Sequence, residues 1–336
     1  MPAFSIGVDL GGTNLRIAAI DTDGTQLAVI SVPSHIDRGR EEVIAELTGH
    51  VRSLIQTYSP AGKFLGLGIG IPGIIDLETG IIHSAANLPG WQGYSARSDL
   101  EARLGVPVTL ENDANCAALG EKWLGAGKDV EDLCMITLGT GVGGGFVFNG
   151  KPWHGVLGMA GEIGHTTVIP EGRACNCGNH GCLEQYASAT AIRKAAIEYV
   201  RSGKSPCLSA AAKQDPLLSA RTVHTCARSG DPAGKEIFDM AGKAIGIALG
   251  NLINSFNLPM YVLGGGVSRA WEQFSPALFR ELNERSIVYR AGEEQKLRHR
   301  STEVKPAELQ DRAGLLGAAH LAMLEKNTCT LHIQTV

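Results

Sequence analysis

The most reactive side chains of this sequence are gathered in one glycine-rich stretch, residues 161–184. His165 and three cysteines fall within eighteen positions there, a spacing short enough to surround a single metal ion. Three thiols and an imidazole are a ligand set of closed, tetrahedral, structural zinc sites. A disulfide is the alternative, but an odd number of cysteines beside a histidine favours a metal. The predicted ligands are His165, Cys175, Cys177 and Cys182.

Two carboxylates flank the same stretch: Glu162 lies three residues before His165, and Glu184 lies two residues after Cys182. A loop that zinc only holds together would not require either carboxylate. A zinc-stabilised loop with no further role is the simplest alternative interpretation. The glycine turns elsewhere in the chain favour a binding site instead, to which both carboxylates contribute.

A third carboxylate, Asp113, follows a short apolar strand at residues 106–110 and precedes an alanine-rich helix predicted over residues 116–124. Ligands of α/β proteins bind outside the carboxyl ends of the sheet strands. An ordinary helix cap is the alternative role for this residue. Beside Asn112, and in a chain with phosphate-type turns, Asp113 is the best candidate for a general base that accepts the proton of an attacking hydroxyl.

Two glycine turns of similar build connect apolar strands. The first follows the strand that begins at Phe4 and has the sequence Gly11-Gly12-Thr13, and the second lies within residues 138–145. Because glycine has no Cβ, such turns expose successive backbone N–H groups and let oxyanions approach closely. The similarity predicts an internal duplication, with one strand–turn–strand hairpin in each half of the chain.

Two glycine patterns, one of them within the second turn, resemble a dinucleotide-binding fingerprint, which requires a helix directly after the glycines. Residues 139–144 lead into a strand instead, and residues 68–73 contain Pro72 and continue as a turn at residues 73–76. One Gly-Lys-Ser sequence occurs, at residues 203–205, but residue 198 is a glutamate where a Walker-type loop, Gly-x₄-Gly-Lys-Ser/Thr, requires glycine. The sequence therefore argues against both a dinucleotide fold and a Walker-type loop.

The elements that must position these residues alternate between strands and helices, which indicates α/β architecture. Apolar residues at helical spacing predict a helix over residues 41–58. Asp231 and Pro232 predict the cap and first turn of a long helix that Pro259 ends. The buried-type strand 260–263 then opens onto a third glycine turn, residues 264–266.

Composition excludes several classes of protein. The chain has 336 residues, 44% of them hydrophobic and 19% charged, which is enough for one large or two medium domains. A formal net charge of −4 without a basic block argues against a nucleic-acid partner. No apolar run reaches membrane-spanning length, and the N-terminus lacks the features of a signal peptide. We expect a cytoplasmic protein that binds neither nucleic acid nor membranes.

The remaining five cysteines are scattered, which is typical of reduced thiols in a reducing compartment. Two of them, Cys116 and Cys134, lie in apolar surroundings and are expected to be small core residues. The full set is Cys116, Cys134, Cys207, Cys226 and Cys329.

Five motifs together resemble the ROK family of sugar kinases and repressors, and within it the bacterial glucokinases. In chain order they are residues 9–13, 111–113, 138–143, 161–165 and 175–184. They occur in order over nearly the whole chain, to about residue 323. In combination they are specific, whereas each alone is not.

The resemblance implies a hexokinase/actin-like (ribonuclease H-like) α/β fold with two domains, a cleft between them and a zinc-bound loop. It implies a small domain of residues 1–113 plus 307–336 and a large domain of residues 114–306. A C-terminal helix at residues 314–326 would return to the small domain. A homodimer is also expected.

The same resemblance assigns roles to residues. Asp113 would take the proton from the primary hydroxyl of a sugar, and His165 would bind zinc through one ring nitrogen and face the sugar with the other. The sugar-binding residues would be Gly73, Asn87, Asn112, Asp113, Glu162, His165 and Glu184. The nucleotide-binding residues would be Asp9, Gly11, Gly12, Thr13, Asn14, Gly139, Thr140, Gly141, Val142 and Gly143 at the phosphates, with Gly264, Gly265 and Gly266 at the adenosine.

The implied activity is ATP-dependent phosphorylation of the 6-hydroxyl of glucose, with a structural Zn²⁺ and with Mg²⁺ bound to the nucleotide. Fructose, allose, N-acetylglucosamine and N-acetylmannosamine remain open as acceptors, and polyphosphate remains open as the donor. A sugar-responsive repressor is the non-enzymatic alternative. Such repressors carry a helix-turn-helix before the kinase-like body, for which the first turn at Asp9 leaves no room. Trp91, in a turn at residues 87–91, could border the sugar or pack between elements.

Overall fold

A computed structural model of the chain describes residues 3–85, 87–294 and 301–333. Within these residues the strands form two five-stranded sheets and a small three-stranded sheet. The strands are β1 Phe4–Leu10, β2 Asn14–Asp21, β3 Gln26–Pro33, β4 Phe64–Ile71, β5 Ile74–Asp76, β6 Ile81–Ser84, β7 Tyr94–Ser95, β8 Val108–Asn112, β9 Leu133–Leu138, β10 Val142–Phe148, β11 Lys151–Pro152, β12 Met260–Gly264 and β13 Glu303–Pro306. The helices are α1 Arg40–Tyr58, α2 Ala96–Leu104, α3 Asp113–Leu124, α4 Glu184–Ala187, α5 Ala189–Arg201, α6 Pro206–Ala211, α7 Ala220–Arg228, α8 Pro232–Phe256, α9 Trp271–Arg285, α10 Ile287–Glu294 and α11 Ala313–Ile333.

The chain folds into two compact units. Unit 1 comprises Met1–Met135, Gly145–Gly161 and Glu308–Val336. Unit 2 comprises Ile136–Gly144 and Glu162–Ala307. The sequence predicts a different division, into residues 1–113 with 307–336 and residues 114–306. That division into domains stays a prediction.

The sheet of unit 1 has the strand order β3-β2-β1-β4-β8. Strands β1 and β2 form the predicted antiparallel hairpin, and β1, β4 and β8 run parallel. Strand β1 is almost entirely buried, as expected for a strand covered on both faces. Helix α1 buries its apolar side chains in the core of this unit, and its bounds confirm the helix predicted over residues 41–58.

Two of the glycines in the rejected dinucleotide-like pattern allow close packing within unit 1. A Cβ on Gly68 would overlap the carbonyl oxygen of Ala318 on α11, and one on Gly70 would lie 3.2 Å from the Cys116 sulfur. Gly73 has a φ of 126°, which favours glycine. The pattern is therefore explained by helix packing and one left-handed turn. The residues after it form strand β5, so the turn predicted at residues 73–76 is wrong.

The second large sheet has the order β11-β10-β9-β12-β13, which repeats the plan of the first with a hairpin, β9–β10, beside the remaining strands. The boundary between the units passes through β9 and β10. Strand β12 confirms the strand predicted at 260–263, and its neighbour β13 runs parallel to it. The predicted duplication of the strand–turn–strand hairpin is therefore present in the structure.

Helix α8 of unit 2 begins and ends at the predicted residues. The Asp231 side chain accepts a hydrogen bond from the Gly234 N–H, and Pro232 occupies the first turn. At the other end Asn257 adopts the left-handed conformation with a φ of 47°, two residues before Pro259. The cap and the helix stop therefore lie where local sequence chemistry places them.

One further prediction, about the scattered cysteines, needs correction. Cys207 on α6 and Cys226 on α7 form a disulfide, so the expectation of reduced thiols is wrong for these two residues. Cys116 and Cys134 are buried and unpaired, as predicted, and burial raises the pKa of both thiols. The side chain of Cys329 lies outside the described part of the chain. Among the described residues, no helix is long and apolar enough to span a membrane.

Trp91 is a core residue of unit 1. Its side chain is 1% exposed and contacts the Tyr94 ring edge-on at 5.6 Å between centroids. Of the two roles considered for Trp91, the structure favours packing over a position beside the sugar.

Candidate functional site

Three candidate segments leave one edge of the unit 1 sheet together. Asp9 on β1 pairs with Gly70 on β4, and Gly70 pairs with Glu111 on β8. Because the three strands are parallel, the turn after β1, Gly73 after β4 and Asp113 after β8 all emerge at their carboxyl ends. Two inter-strand spacings separate β1 from β8, about 10 Å. Ligands of α/β sheets bind at this edge.

The first glycine turn is exposed at this edge. Gly12 and Thr13 face solvent, and the Gly11 N–H donates to the carbonyl oxygen of Asn14, the first residue of β2, at 2.9 Å. The Ser34 N–H donates to the Thr13 carbonyl oxygen at 3.0 Å. Because the turn is exposed and Gly12 has no side chain, an anion has access to its backbone.

Asp113 is the first residue of α3, and Asn112 is the cap of this helix. The Asn112 Oδ1 atom accepts from the N–H groups of Ala114 and Asn115 at 2.9 and 3.3 Å. The helix therefore begins three residues earlier than predicted. Since Asn112 performs the capping, the alternative role of Asp113 as the cap is not needed. Asp113 Oδ1 also accepts from the Ala114 N–H at 2.9 Å, which fixes the orientation of the carboxylate.

Gly73 and Asn87 lie close to these residues within unit 1. Asn112 Nδ2 donates to the Gly73 carbonyl oxygen at 3.1 Å. Asn87 packs against the first turn, 3.4 Å from where a Cβ on Gly12 would lie. The structure therefore places Asn87 against the predicted phosphate turn and joins Gly73 to Asn112.

Asp9, which precedes the first turn, is largely enclosed. Its carboxylate lies 3.4 Å from the Arg16 guanidinium on β2 and close to Gly314 of α11. Burial raises the pKa of Asp9, and the charge of Arg16 opposes that increase.

Sequence reasoning missed a hydrogen-bonded glutamate–histidine pair next to the candidate base. The Glu111 side chain is only 2% exposed, and its Oε2 atom lies 2.6 Å from His154 Nε2. Glu111 Oε1 accepts from the Asn112 N–H at 2.8 Å and from Asn115 Nδ2 at 3.0 Å. One carboxylate therefore holds the strand–helix junction that presents Asp113. The hydrogen bond to Glu111 raises the pKa of His154, although burial opposes this increase.

In unit 2 the second glycine turn is held by residues that follow the cysteine-rich loop. Glu184 Oε2 accepts from the Val142 N–H at 3.0 Å. A Cβ on Gly141 would lie 2.5 Å from the same oxygen, so a glycine there leaves room for the carboxylate. Within the turn, the Gly139 N–H donates to the Gly141 carbonyl oxygen at 2.9 Å, and Thr140 is exposed. Gly143 follows within β10.

The third glycine turn lies against the start of the second. Gly264 is the last residue of β12, and Gly265 has a φ of 83°. A Cβ on Gly265 would lie 2.5 Å from the carbonyl oxygen of Leu138, which directly precedes Gly139. Gly266 then begins the 3₁₀ turn Gly266–Ala270. The nucleotide-binding residues predicted for unit 2 are therefore neighbours.

The four predicted metal ligands converge. One ligand atom from each of His165, Cys175, Cys177 and Cys182 can be chosen so that all lie within 4.8 Å of one another. The Cys177 and Cys182 sulfurs are 3.7 Å apart, as are the Cys175 sulfur and His165 Nδ1. Two sulfurs on a tetrahedral zinc ion lie about 3.8 Å apart, because each Zn–S bond is about 2.3 Å. The donor set and its spacing therefore fit zinc.

The pKa values of two thiols in this cluster are shifted in opposite directions. Burial tends to raise the pKa of Cys175, but hydrogen bonds from Cys177, His165 and Cys182 outweigh it and lower the pKa to about 7. Burial, together with the neighbouring Cys175 and Cys177, raises the pKa of Cys182 to about 12. A dication among the thiols would favour the thiolate form of each.

The imidazole of His165 faces two ways. Its Nδ1 atom points to the Cys175 sulfur, and its Nε2 atom lies 3.9 Å from Glu162 Oε2. Gly164 beside it packs so tightly on Val142 that a Cβ would overlap the Val142 carbonyl oxygen. In unit 2 the structure thus gathers Glu162, His165 and Glu184 around the second glycine turn. The roles predicted for residues of both units stay proposals.

Together, the fold and these turns define a mixed α/β protein with two glycine-turn hairpins on sheets of the same plan. A family model described as the ROK family matches residues 5–325, and the chain belongs to this family. The mixed α/β fold predicted from the sequence is confirmed, whereas the cleft and the bound zinc stay predictions.

Three relatives show the range of the family. A glucokinase of Halalkalibacterium halodurans is 37% identical, with 96% of each chain covered. A ROK family glucokinase from Streptomyces griseus, solved in complex with glucose and AMPPNP, is 31% identical with a TM-score of 0.78 and covers 96% of this chain and 100% of its own. A xylose repressor of Caldicellulosiruptor bescii is 32% identical, over 93% of this chain and 76% of its own.

Proposed function

We propose that the protein is a hexose kinase that transfers the γ-phosphoryl group of ATP to the 6-hydroxyl of glucose. One observation supports this proposal most strongly. Asp113 and the first glycine turn leave the same edge of one sheet, at the carboxyl ends of the parallel strands β8 and β1. A base and a phosphate site at one edge are what transfer to a hydroxyl requires. The likeness to two glucokinases supports glucose as the acceptor.

In the proposed reaction Asp113 accepts the proton of the attacking hydroxyl. Asn112, Glu162, His165 and Glu184 hydrogen-bond the other hydroxyls, because charged acceptors make strong directional bonds to them. Gly73 and Asn87 border the sugar. Mg²⁺ accompanies ATP and neutralises charge on its phosphates.

The two glycine turns bind the phosphates in this proposal. The first comprises Asp9, Gly11, Gly12, Thr13 and Asn14, and the second comprises residues 139–143. Residues 264–266 contact the adenosine. Positioning and charge neutralisation supply most of the catalysis in phosphoryl transfer, so backbone N–H groups in fixed turns suit the task.

Zinc has a structural role in this proposal. The ion is bound by His165, Cys175, Cys177 and Cys182 and, because the site is closed, does not take part in the transfer. It fixes the His165 ring through Nδ1, which leaves Nε2 free to meet a sugar hydroxyl.

Identification of the product tests the reaction. Wild-type protein with Mg-ATP and ¹³C-labelled glucose should give one phosphorylated product, with ¹³C–³¹P coupling at carbon 6. A phosphate on another carbon would contradict the role of the 6-hydroxyl. Replacing ATP with polyphosphate tests the alternative donor, since a faster reaction with polyphosphate would reassign it.

A sugar-responsive repressor is the second candidate, favoured by the likeness to a xylose repressor. A non-catalytic sugar sensor does not need a general base at residue 113. Sugar binding without any sugar-dependent release of ADP would favour this candidate over the kinase.

A further inference from the structure

The second glycine turn is bonded to the residues after the cysteine-rich loop at three points. The Val142 N–H donates to Glu184 Oε2 at 3.0 Å. The Ala189 N–H donates to the Gly139 carbonyl oxygen at 2.8 Å. The Thr190 hydroxyl donates to the Thr140 carbonyl oxygen at 2.7 Å. We call residues 184–190 the clamp segment.

These bonds determine where the turn directs its N–H groups. In a planar trans peptide, the carbonyl of one residue and the N–H of the next point in opposite directions. With the carbonyls of Gly139 and Thr140 bound to the clamp segment, the N–H groups of Thr140 and Gly141 point away from it. A glycine-rich turn would otherwise sample many orientations. The clamp segment therefore fixes the conformation that an oxyanion site needs.

Glu184 contributes to the same arrangement from inside the turn. Its carboxylate occupies the space that a side chain on Gly141 would fill, 2.5 Å from the position of that Cβ. Glu184 is also two residues from the predicted metal ligand Cys182. One short segment thus connects the metal loop, a proposed sugar ligand and the proposed phosphate turn.

We propose that Thr190 and Glu184 are positioning residues for the nucleotide, which hold the second turn ready for the phosphates of ATP before any sugar binds. Glu184 then serves both substrates, the sugar through its carboxylate and the nucleotide through Val142. This inference rests on the proposed function, since it requires that the turn binds a nucleotide.

A purely structural role of the clamp segment is the alternative. Helix α5 has its own cap, because the Ser188 hydroxyl accepts from the Ala191 N–H at 3.0 Å. The Thr190 bond to the turn is therefore not required to start the helix. A structural role would change thermal stability and the affinity for both substrates together, whereas a positioning role would change nucleotide affinity selectively.

Calorimetric titration with Mg-AMPPNP, without sugar, tests Thr190→Val. Loss of one hydrogen bond should weaken nucleotide binding about 3- to 10-fold and leave glucose affinity within about twofold. Thr57→Val is the matched control, because the Thr57 hydroxyl donates to the Ser53 carbonyl oxygen at 2.8 Å on α1 of unit 1. Unchanged nucleotide affinity in Thr190→Val, or an equal loss of glucose affinity, would overturn the inference.

Two substitutions of Glu184 separate its two tasks. Glu184→Gln keeps an oxygen that can accept the Val142 N–H, so nucleotide affinity should stay within about twofold while glucose affinity falls. Glu184→Ala should weaken binding of both ligands. If Glu184→Ala binds the nucleotide normally, the inference is overturned but the proposed function stands. Wild-type protein that binds no Mg-AMPPNP would overturn the proposed function as well.

Discussion

The two glycine hairpins follow the same strand order but differ in what surrounds their turns. In the first, the Gly11 and Thr13 backbone bonds to nearby residues, Asn14 and Ser34. In the second, the turn bonds to Glu184, Ala189 and Thr190, more than forty residues later in the chain. Equivalent turns have therefore been stabilised by different means.

The strand ends beside the hairpins differ as well. In the first sheet β8 leads into α3, which begins with Asp113. In the second sheet β13 takes the corresponding place and leads to residues 307–312 before α11. The duplicated sheet supplies the glycine turn twice, and the proposed base is present in one copy. If both turns bind phosphates, as we propose, the hairpin supplies the anion site and the neighbouring strand ends decide the chemistry.

Asp113→Asn should give the largest effect, because it removes the proposed general base, which the first sheet has and the second lacks. Loss of a general base lowers kcat on the order of 10²–10⁴-fold, while glucose binding should remain. Asp129→Asn, at an exposed site, is the control. A kcat equal to that of the wild type in Asp113→Asn would remove Asp113 from the mechanism.

Cys177→Ser tests the support of the second turn. Wild-type protein purified without chelator should contain one zinc ion per chain. The variant should lose the ion and about 3 kcal/mol or more of stability. Glucose affinity should fall too, because Glu162 and Glu184 flank the loop. Asn176→Ala, an exposed neighbour, should keep its zinc. Wild-type protein without zinc, or with a disulfide among these cysteines, would refute the metal site.

The same substitution in each turn compares them directly. Gly141→Ala should displace the Glu184 carboxylate from Val142 at a cost of about 1 kcal/mol, one hydrogen bond. Gly12→Ala should cost less, because its Cβ would meet Asn87 at an ordinary 3.4 Å. Urea unfolding of both variants measures the difference. A larger loss of stability in Gly12→Ala than in Gly141→Ala would contradict this comparison of the two turns.

The smallest expected effect concerns the His154–Glu111 pair. The pKa of His154 is raised in the folded protein, so the pair stabilises the fold fully below the ordinary histidine pKa of about 6.5. This contribution is lost as the pH rises through the folded pKa. The stability difference between wild type and His154→Gln should therefore shrink from pH 6 to pH 9. A difference independent of pH would show that His154 acts through packing.

Local chemistry in the sequence was enough to predict several elements. Helix α8 is bounded by Asp231, Pro232 and Pro259, whose effects act within one turn. The cysteine cluster was predictable because its spacing restricts the ligands to one loop. The dinucleotide-like pattern was rejected on the residues that follow it, and the structure explains its glycines by packing.

Long-range pairs could not be predicted in this way. Glu111 and His154 are 43 residues apart, and no spacing rule connects them. A charged residue at the end of an apolar strand was the one indication. The Cys207–Cys226 disulfide was missed because two isolated cysteines form no recognisable framework. Bonds from the clamp segment to backbone carbonyls leave no signal in the sequence of the turn. Only the Glu184 carboxylate leaves one, because it requires a glycine at position 141.

The central claim is that the chain phosphorylates a sugar, with glucose preferred. A coupled assay of ADP release, run with Mg-ATP and each of glucose, fructose, allose, N-acetylglucosamine and N-acetylmannosamine, tests it directly. We expect release that depends on the sugar and the highest kcat/KM for glucose. Another sugar preferred tenfold, about 1.4 kcal/mol in transition-state binding, would reassign the acceptor. ADP release that is equally slow with and without each sugar would contradict the proposed kinase activity.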